Sequence, residues 1–254
     1  MKADIERASQ IVKDIYNSYN KKEWVFANLM NVEESFPETM KDEKEKALFT
    51  FYMVALDYAM KSTILYDGAR RLYKEKPEFF NPEFLEKQNV ENLSKILREY
   101  LKPRYPNEAA KRWISISKLL LEKYQGDPRK IFERVDDSIE VMNRIREFRG
   151  FGGQKIGNLF FRVMLNLGYG KRLKNVEKIT LPIDTHDIRL TKDLGISDTK
   201  DIDQIKQIWS KACKKAGISW LVLDKALWQI GSQGCNYKKC KECIISKYCS
   251  KVIK

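Results

Sequence analysis

Apolar residues recur along most of this chain with the period of an α-helix. Between Ile5 and Tyr19 they stand at Ile5, Ala8, Ile11, Val12, Ile15 and Tyr16, one stripe on one helical face. Lys44–Tyr73 continues the pattern, and its first half is apolar nearly all round, as a central helix should be. Asn89–Leu101 and Asn107–Tyr124 read as a further pair, parted by Lys102-Pro103-Arg104-Tyr105-Pro106, whose prolines force a turn. Asp136–Phe148 and Lys155–Leu167 are amphipathic and bracket a cluster of glycines. Ile179–Ile183 and Ile218–Leu223 are short strand-like runs, and helix fits the second equally well. No repeat or low-complexity tract interrupts the series. The pattern predicts an all-α fold.

Composition narrows the setting. With 254 residues, 43% of them hydrophobic, the chain can bury a real core as one large domain or two intimate lobes. The formal charge of +13 points to a polyanionic partner, because clustered Lys and Arg gain free energy by releasing phosphate counterions. A Lys/Glu-rich surface with a modest excess of Lys is the plainer explanation. The segment Met1–Arg7 is charged and lacks the apolar stretch of a signal peptide. The greasiest run, Ala47–Leu56, is stopped by Asp57 and again by Lys61, too soon to span a bilayer. An intracellular protein with no membrane partner is expected. Five cysteines in a reducing compartment then argue for metal or redox chemistry rather than disulfides.

Three features carry candidate chemistry. The first is Phe148-Arg149-Gly150-Phe151-Gly152-Gly153-Gln154-Lys155-Ile156-Gly157-Asn158, between two amphipathic helices. Its glycines allow positive φ, and a tight turn opening a helix leaves backbone N–H groups free to hold a DNA phosphate without reading bases. An ordinary corner between helices would look similar. The second is Leu181-Pro182-Ile183-Asp184-Thr185-His186-Asp187-Ile188-Arg189-Leu190, where Asp184 stands at a helix start and Asp187 completes a capping box. Taken alone, Asp184 is as well explained as an N-cap, and His186 as a surface or packed histidine. The third is Cys235, Cys240, Cys243 and Cys249, spaced C-x4-C-x2-C-x5-C. With a single C-x2-C pair and the one histidine far away, the spacing suits a [4Fe–4S] cluster better than zinc. The same stretch holds Lys238, Lys239, Lys241, Lys247, Lys251 and Lys254 against one acid, Glu242, which makes it a basic loop that a cluster could pin. Cys213 lies in the helical run Ile205–Ala216 and reads as a plain buried thiol.

In this order the three features resemble the endonuclease III branch of the helix-hairpin-helix DNA glycosylases. That family shows Leu-Pro-Gly-Val-Gly-x-Lys-Thr-Ala, then Val-Asp-Thr-His-Val-x-Arg, then C-x6-C-x2-C-x5-C. The likeness is sharp over roughly 145–250 and only topological over 45–145. It implies a helical barrel lobe at 45–171, ending in the hairpin, and a second lobe of 1–44 with 172–254 that holds the cluster, with DNA bound in the cleft between them. It also implies a monomer that binds double-stranded DNA carrying a damaged or mismatched base and flips that base out of the stack. Lys155 would attack the sugar C1′, expel the base and form a Schiff base, while Asp184 stabilises the developing oxocarbenium charge. A helix N-terminus, the positive end of the dipole, favours a free amine there. Arg149, Gly150, Gly152, Gly153, Lys238 and Lys239 would grip the DNA backbone, and oxidised pyrimidines are the default substrate.

Several positions depart from the family pattern. If Gly150-Phe151-Gly152 is aligned with its Gly-Val-Gly, Gln154 takes the nucleophile position; if Ile156-Gly157-Asn158 is aligned with the helix that follows, Lys155 does. With Gln154 inward the enzyme would be a monofunctional mismatch or uracil glycosylase in which Asp184 activates water. A non-catalytic iron–sulfur DNA-binding protein and a zinc-type nucleic-acid module are the other readings. Arg149 stands where the family has Pro. Gly168-Tyr169-Gly170-Lys171-Arg172-Leu173-Lys174 lengthens the link to Asp184, as an arm along DNA or an idle surface loop. The family fills the gap left by a flipped base from a segment near Asp57-Tyr58-Ala59-Met60. Tyr58 reads there as a core residue, and Phe151 as an anchor of its turn.

Overall fold

The computed structural model describes residues 3–252, so Met1, Lys2 and Lys254, named above, lie outside it. Among the described residues the helices are α1 (Ile5–Asn20), α2 (Glu43–Leu56), α3 (Ser62–Glu75), α4 (Pro82–Leu85), α5 (Val90–Tyr100), α6 (Pro106–Tyr124), α7 (Ser138–Arg146), α8 (Ile156–Asn166), α9 (Thr185–Asp193), α10 (Ile202–Ala216) and α11 (Trp220–Gln229). Short 3₁₀ turns join them, and Ile230–Gly234 winds as a π-helical turn. No strand is present among the described residues: Ile179–Ile183 is irregular, and the later strand-like run enters α11. No described helix is long and apolar enough to cross a membrane.

The chain divides into two compact units, Val32–Lys178 and Met1–Asn31 with Ile179–Lys254. The divisions fall beyond the expected lobe edges, so residues 32–44 and 172–178 pack with the helices of the first unit.

In Val32–Lys178 the core is wound around α2. Asp42 caps it by accepting the N–H groups of Lys44 and Glu45. Every residue from Ala47 to Leu56 is then buried, which needs neighbours on all sides because no face is polar. Tyr52 meets α6 through its hydroxyl, 2.7 Å from Ser117 Oγ, while the Trp113 indole donates to the Tyr52 carbonyl at 3.1 Å. Phe51 is ringed by Phe148, Phe151 and Phe160, with centroids 5.0–5.4 Å apart.

The expected single helix over Lys44–Tyr73 is broken at Asp57–Lys61, where α2 ends and α3 begins. Ala59 adopts φ 53° in this break, a left-handed conformation that no helix tolerates. Tyr58 is half-exposed rather than in the core, against the sequence expectation.

In the other unit, α1 packs its apolar stripe on α10 and α11. Arg7 reaches from α1 to the carbonyls of Leu194 and Tyr248 at 2.7 and 2.8 Å, and Asp14 accepts from the Tyr248 hydroxyl at 2.8 Å. Residues near the two ends of the sequence are thereby tied together.

Candidate functional site

The hairpin is seated on the C-terminal end of α2. The last carbonyls of a helix lack intrahelical donors, and the dipole makes that end negative. Two cations meet it. Arg112 donates to the Ala55 carbonyl at 2.6 Å, and Lys155 Nζ donates to the Asp57 carbonyl at 3.0 Å. The Arg112 guanidinium also lies 4.4 Å from the centre of the Tyr58 ring, and burial holds its pKa below the ordinary guanidinium value.

Arg112 explains the first hairpin glycine. Gly150 has φ +89°, and a Cβ there would lie 2.6 Å from the guanidinium carbon. Gly157 is needed for space alone: its Cβ would stand 2.5 Å from the Phe151 carbonyl, so only glycine lets α8 begin against the hairpin tip. Gly152 and Gly153 have ordinary backbone angles and room for a methyl group, so the expectation of positive φ across the cluster reduces to Gly150. Phe151 is fully buried and anchors the turn, as the sequence suggested.

Lys155 immediately precedes α8, and Gln154 lies in the turn before it. The Lys155 amine is half-buried and 4.0 Å from Asp57 Oδ1. Asp57 is itself buried and takes two hydroxyl donors, Ser62 Oγ on Oδ1 and the Tyr66 phenol on Oδ2, each at 2.7 Å. Burial, and then the Asp57 charge, pushes the Tyr66 pKa well above 10, so this phenol stays a donor. Sequence reasoning used Asp57 only as the end of an apolar run. The usable signal was an acid placed directly after ten apolar positions, where a charge must be held by partners.

Arg149 is exposed and pairs with Glu108 at 3.0 Å, a contact weak enough for a phosphate to replace. The basic Gly168–Lys174 link is tethered at its end: Lys174 donates its N–H to the Asp136 carbonyl at 2.7 Å and accepts from Ser138 N–H at 3.1 Å.

In the other unit Asp184 caps α9. One carboxylate oxygen accepts the N–H groups of His186 at 2.7 Å and Asp187 at 3.3 Å, and Asp187 accepts the Asp184 N–H at 2.8 Å, which completes the predicted box. Asp187 is buried, and burial followed by the charges of Asp184 and Asp224 pushes its carboxyl pKa well above 3.8. Arg189 ties α9 to the π turn and beyond, donating to the Gly231 carbonyl at 2.9 Å and to Asn236 Oδ1 at 3.0 Å.

Residues 160–254 match the family model AGOG, described as N-glycosylase/DNA lyase. Among solved structures, a trapped endonuclease III–DNA covalent intermediate superposes with TM-score 0.65 at 16% identity, covering 96% of this chain and 97% of that one. A thermostable thymine-DNA glycosylase superposes with TM-score 0.62 at 12% identity, covering 98% and 97%. The fold is that of the helix-hairpin-helix DNA glycosylases. A third structure of this fold, the Methanocaldococcus jannaschii 8-oxoguanine glycosylase/lyase with DNA containing 8-oxoguanine, gives TM-score 0.54 at 17% identity, covering 87% and 96%. A comparison with curated proteins finds no match.

Within this helix-hairpin-helix fold the family-model match takes in Asp184 and the four spaced cysteines and leaves the hairpin and Lys155 outside. The cysteine segment is a succession of tight turns that close on the cysteines. Lys238 N–H donates to the Cys235 carbonyl at 3.1 Å, Cys243 N–H to the Cys240 carbonyl at 3.3 Å, and Ser246 N–H to the Cys243 carbonyl at 3.0 Å. Lys238 has φ 53°, and the Lys239 amine lies 5.8 Å from the Tyr237 ring centre; both lysines are exposed. The donor set is four soft sulfurs, the ligand type an iron–sulfur cluster takes, with Glu242 between the second and third. Among the described residues no three His, Cys, Asp or Glu side chains are arranged to hold a metal ion. Cys213 is a buried thiol whose pKa burial pushes up to about 12, as befits an inert packing residue.

Proposed function

We propose that this protein is a DNA glycosylase with lyase activity that removes an oxidised base from double-stranded DNA. One observation carries the reading: Lys155 presents an amine at the start of the hairpin's second helix, directly before Ile156, where the family resemblance puts the nucleophile. The match of residues 160–254 to a family described as N-glycosylase/DNA lyase supports it. The M. jannaschii protein is described as both glycosylase and lyase, and its DNA contains 8-oxoguanine. That lesion therefore comes before oxidised pyrimidines as the first substrate to test.

In this reading the Lys155 lone pair attacks C1′ of a flipped nucleotide. The glycosidic bond breaks, and its electron pair leaves with the base. A proton passes from Nζ to O4′ as the sugar ring opens, leaving a Schiff base, and loss of a C2′ proton then expels the 3′ phosphate. The Asp184 carboxylate supplies negative charge against the cationic sugar. Gly150, Gly152 and Gly153 offer backbone N–H groups to the DNA backbone, and Arg149, Lys238 and Lys239 offer cations. Cys235, Cys240, Cys243 and Cys249 would hold a [4Fe–4S] cluster, whose part is to fix the basic loop in shape. The protein acts as a monomer.

Borohydride trapping tests the reading on duplexes that carry 8-oxoguanine, an oxidised pyrimidine, or uracil or thymine opposite guanine. A covalent adduct is expected with the unaltered protein and with Gln154→Ala, and none with Lys155→Ala. Base release that survives Lys155→Ala but not Asp184→Asn would mean water activation instead. Tight binding without base release across the panel would leave a non-catalytic DNA-binding protein.

A further inference from the structure

We infer that Asp57, held by Ser62 and Tyr66, is a positioning residue that sets the Lys155 amine at the place from which it attacks. The inference rests on the reading of Lys155 as nucleophile. A lysine side chain has four rotatable bonds, and in water its amine samples many positions; a nucleophile must be confined near its target to gain the advantage of proximity. Asp57 confines it in two ways. Its carbonyl accepts a hydrogen bond from Nζ at 3.0 Å, and its carboxylate faces the same nitrogen at 4.0 Å.

The Asp57 side chain is in turn immobile. It is 3% exposed, and each oxygen accepts one hydroxyl at 2.7 Å, from Ser62 and from Tyr66. Both donors lie on α3, while Asp57 closes α2, so the break between the two helices is what places the acid in front of the hairpin. A buried carboxylate needs hydrogen-bond donors around it; Ser62 and Tyr66 supply them, and the Lys155 nitrogen stands 4.0 Å away. Core packing alone asks for none of this. A leucine at position 57 would extend the run of buried apolar residues, and a mobile surface lysine would need no buried acid below it.

Single-turnover trapping and DNA binding measured side by side test the idea, using the full chain and a duplex it is shown to cleave. Asp57→Asn, nearly isosteric, is expected to slow adduct formation about tenfold or more while the Kd for DNA stays within about twofold. Tyr66→Phe should give a smaller loss, and none beyond that of Asp57→Asn when the two are combined, because the phenol acts through the carboxylate. Asp57→Glu should restore part of the rate. Melting temperatures identify a variant that merely unfolds, and Tyr66→Phe serves if Asp57→Asn does. Trapping at the unaltered rate by Asp57→Asn, with Lys155→Ala inactive, overturns the role of Asp57 and leaves the nucleophile standing. An adduct that persists in Lys155→Ala overturns both.

Discussion

Gly150 and Gly153 sit three positions apart in the same turn, yet the backbone asks different things of them. Gly150 combines a left-handed φ of +89° with a guanidinium where a methyl group would go. Gly153 has open space on that side. Gly150→Ala should therefore cost about 1–3 kcal/mol of stability, and Gly153→Ala should lie near zero, both read from denaturant unfolding. Asp187 makes a second prediction at this scale. Its folded pKa is raised by burial and by neighbouring acids, so folding favours the neutral form. In the unfolded chain the carboxyl ionises near 3.8; its favourable contribution is thus complete below that pH and is lost as pH rises toward the folded value. Asp187→Asn, which mimics the neutral acid, should gain stability relative to the unaltered protein between pH 4 and pH 7, a trend that thermal melts across this range would show.

Among the elements, α2 is the one whose loss would spread furthest. Phe51 stands within it against the rings of Phe148, Phe151 and Phe160. Phe51→Ala leaves a cavity that rigid rings fill poorly, and unfolding in denaturant should register a loss of about 3–5 kcal/mol. The helices were legible in the sequence because a period of apolar positions survives any detail of packing, and the stop before Pro103 and the start at Asp184 are local chemistry. The break at Asp57–Lys61 was not legible. Apolar residues continue across it, and the end of α2 is held by Arg112 and Lys155, distant partners that no window of sequence contains. For the same reason Asp184, which caps its own helix, could be read from its neighbours. The contact between Asp57 and Lys155 joins positions 98 residues apart and could not.

For the molecule as a whole, the charge of +13 means that, on the proposed reading, the salt dependence of DNA binding would measure how many cations meet phosphate. The logarithm of affinity should fall linearly with the logarithm of salt concentration, and Arg149→Ala should reduce the slope by about one contact. The cysteine loop has its own observable. Purified protein should absorb broadly near about 400 nm, lose that band when any of Cys235, Cys240, Cys243 or Cys249 becomes Ser, and keep it in Cys213→Ser. A colourless protein would exclude the cluster.

Arg7 and Asp14 bind residues that are made long after them, and this bears on how the chain is synthesised. A ribosome adding about 5–20 residues each second would complete 32–178 over roughly 7–30 s before the partners of α1 begin to appear. Through that interval Ala8, Ile11, Val12 and Ile15, which end up buried, have only the nascent chain and solvent around them. The earlier unit can collapse during synthesis, while α1 waits for its own. A truncation after residue 178 would leave the apolar stripe of α1 without α10 and α11, the helices that cover it.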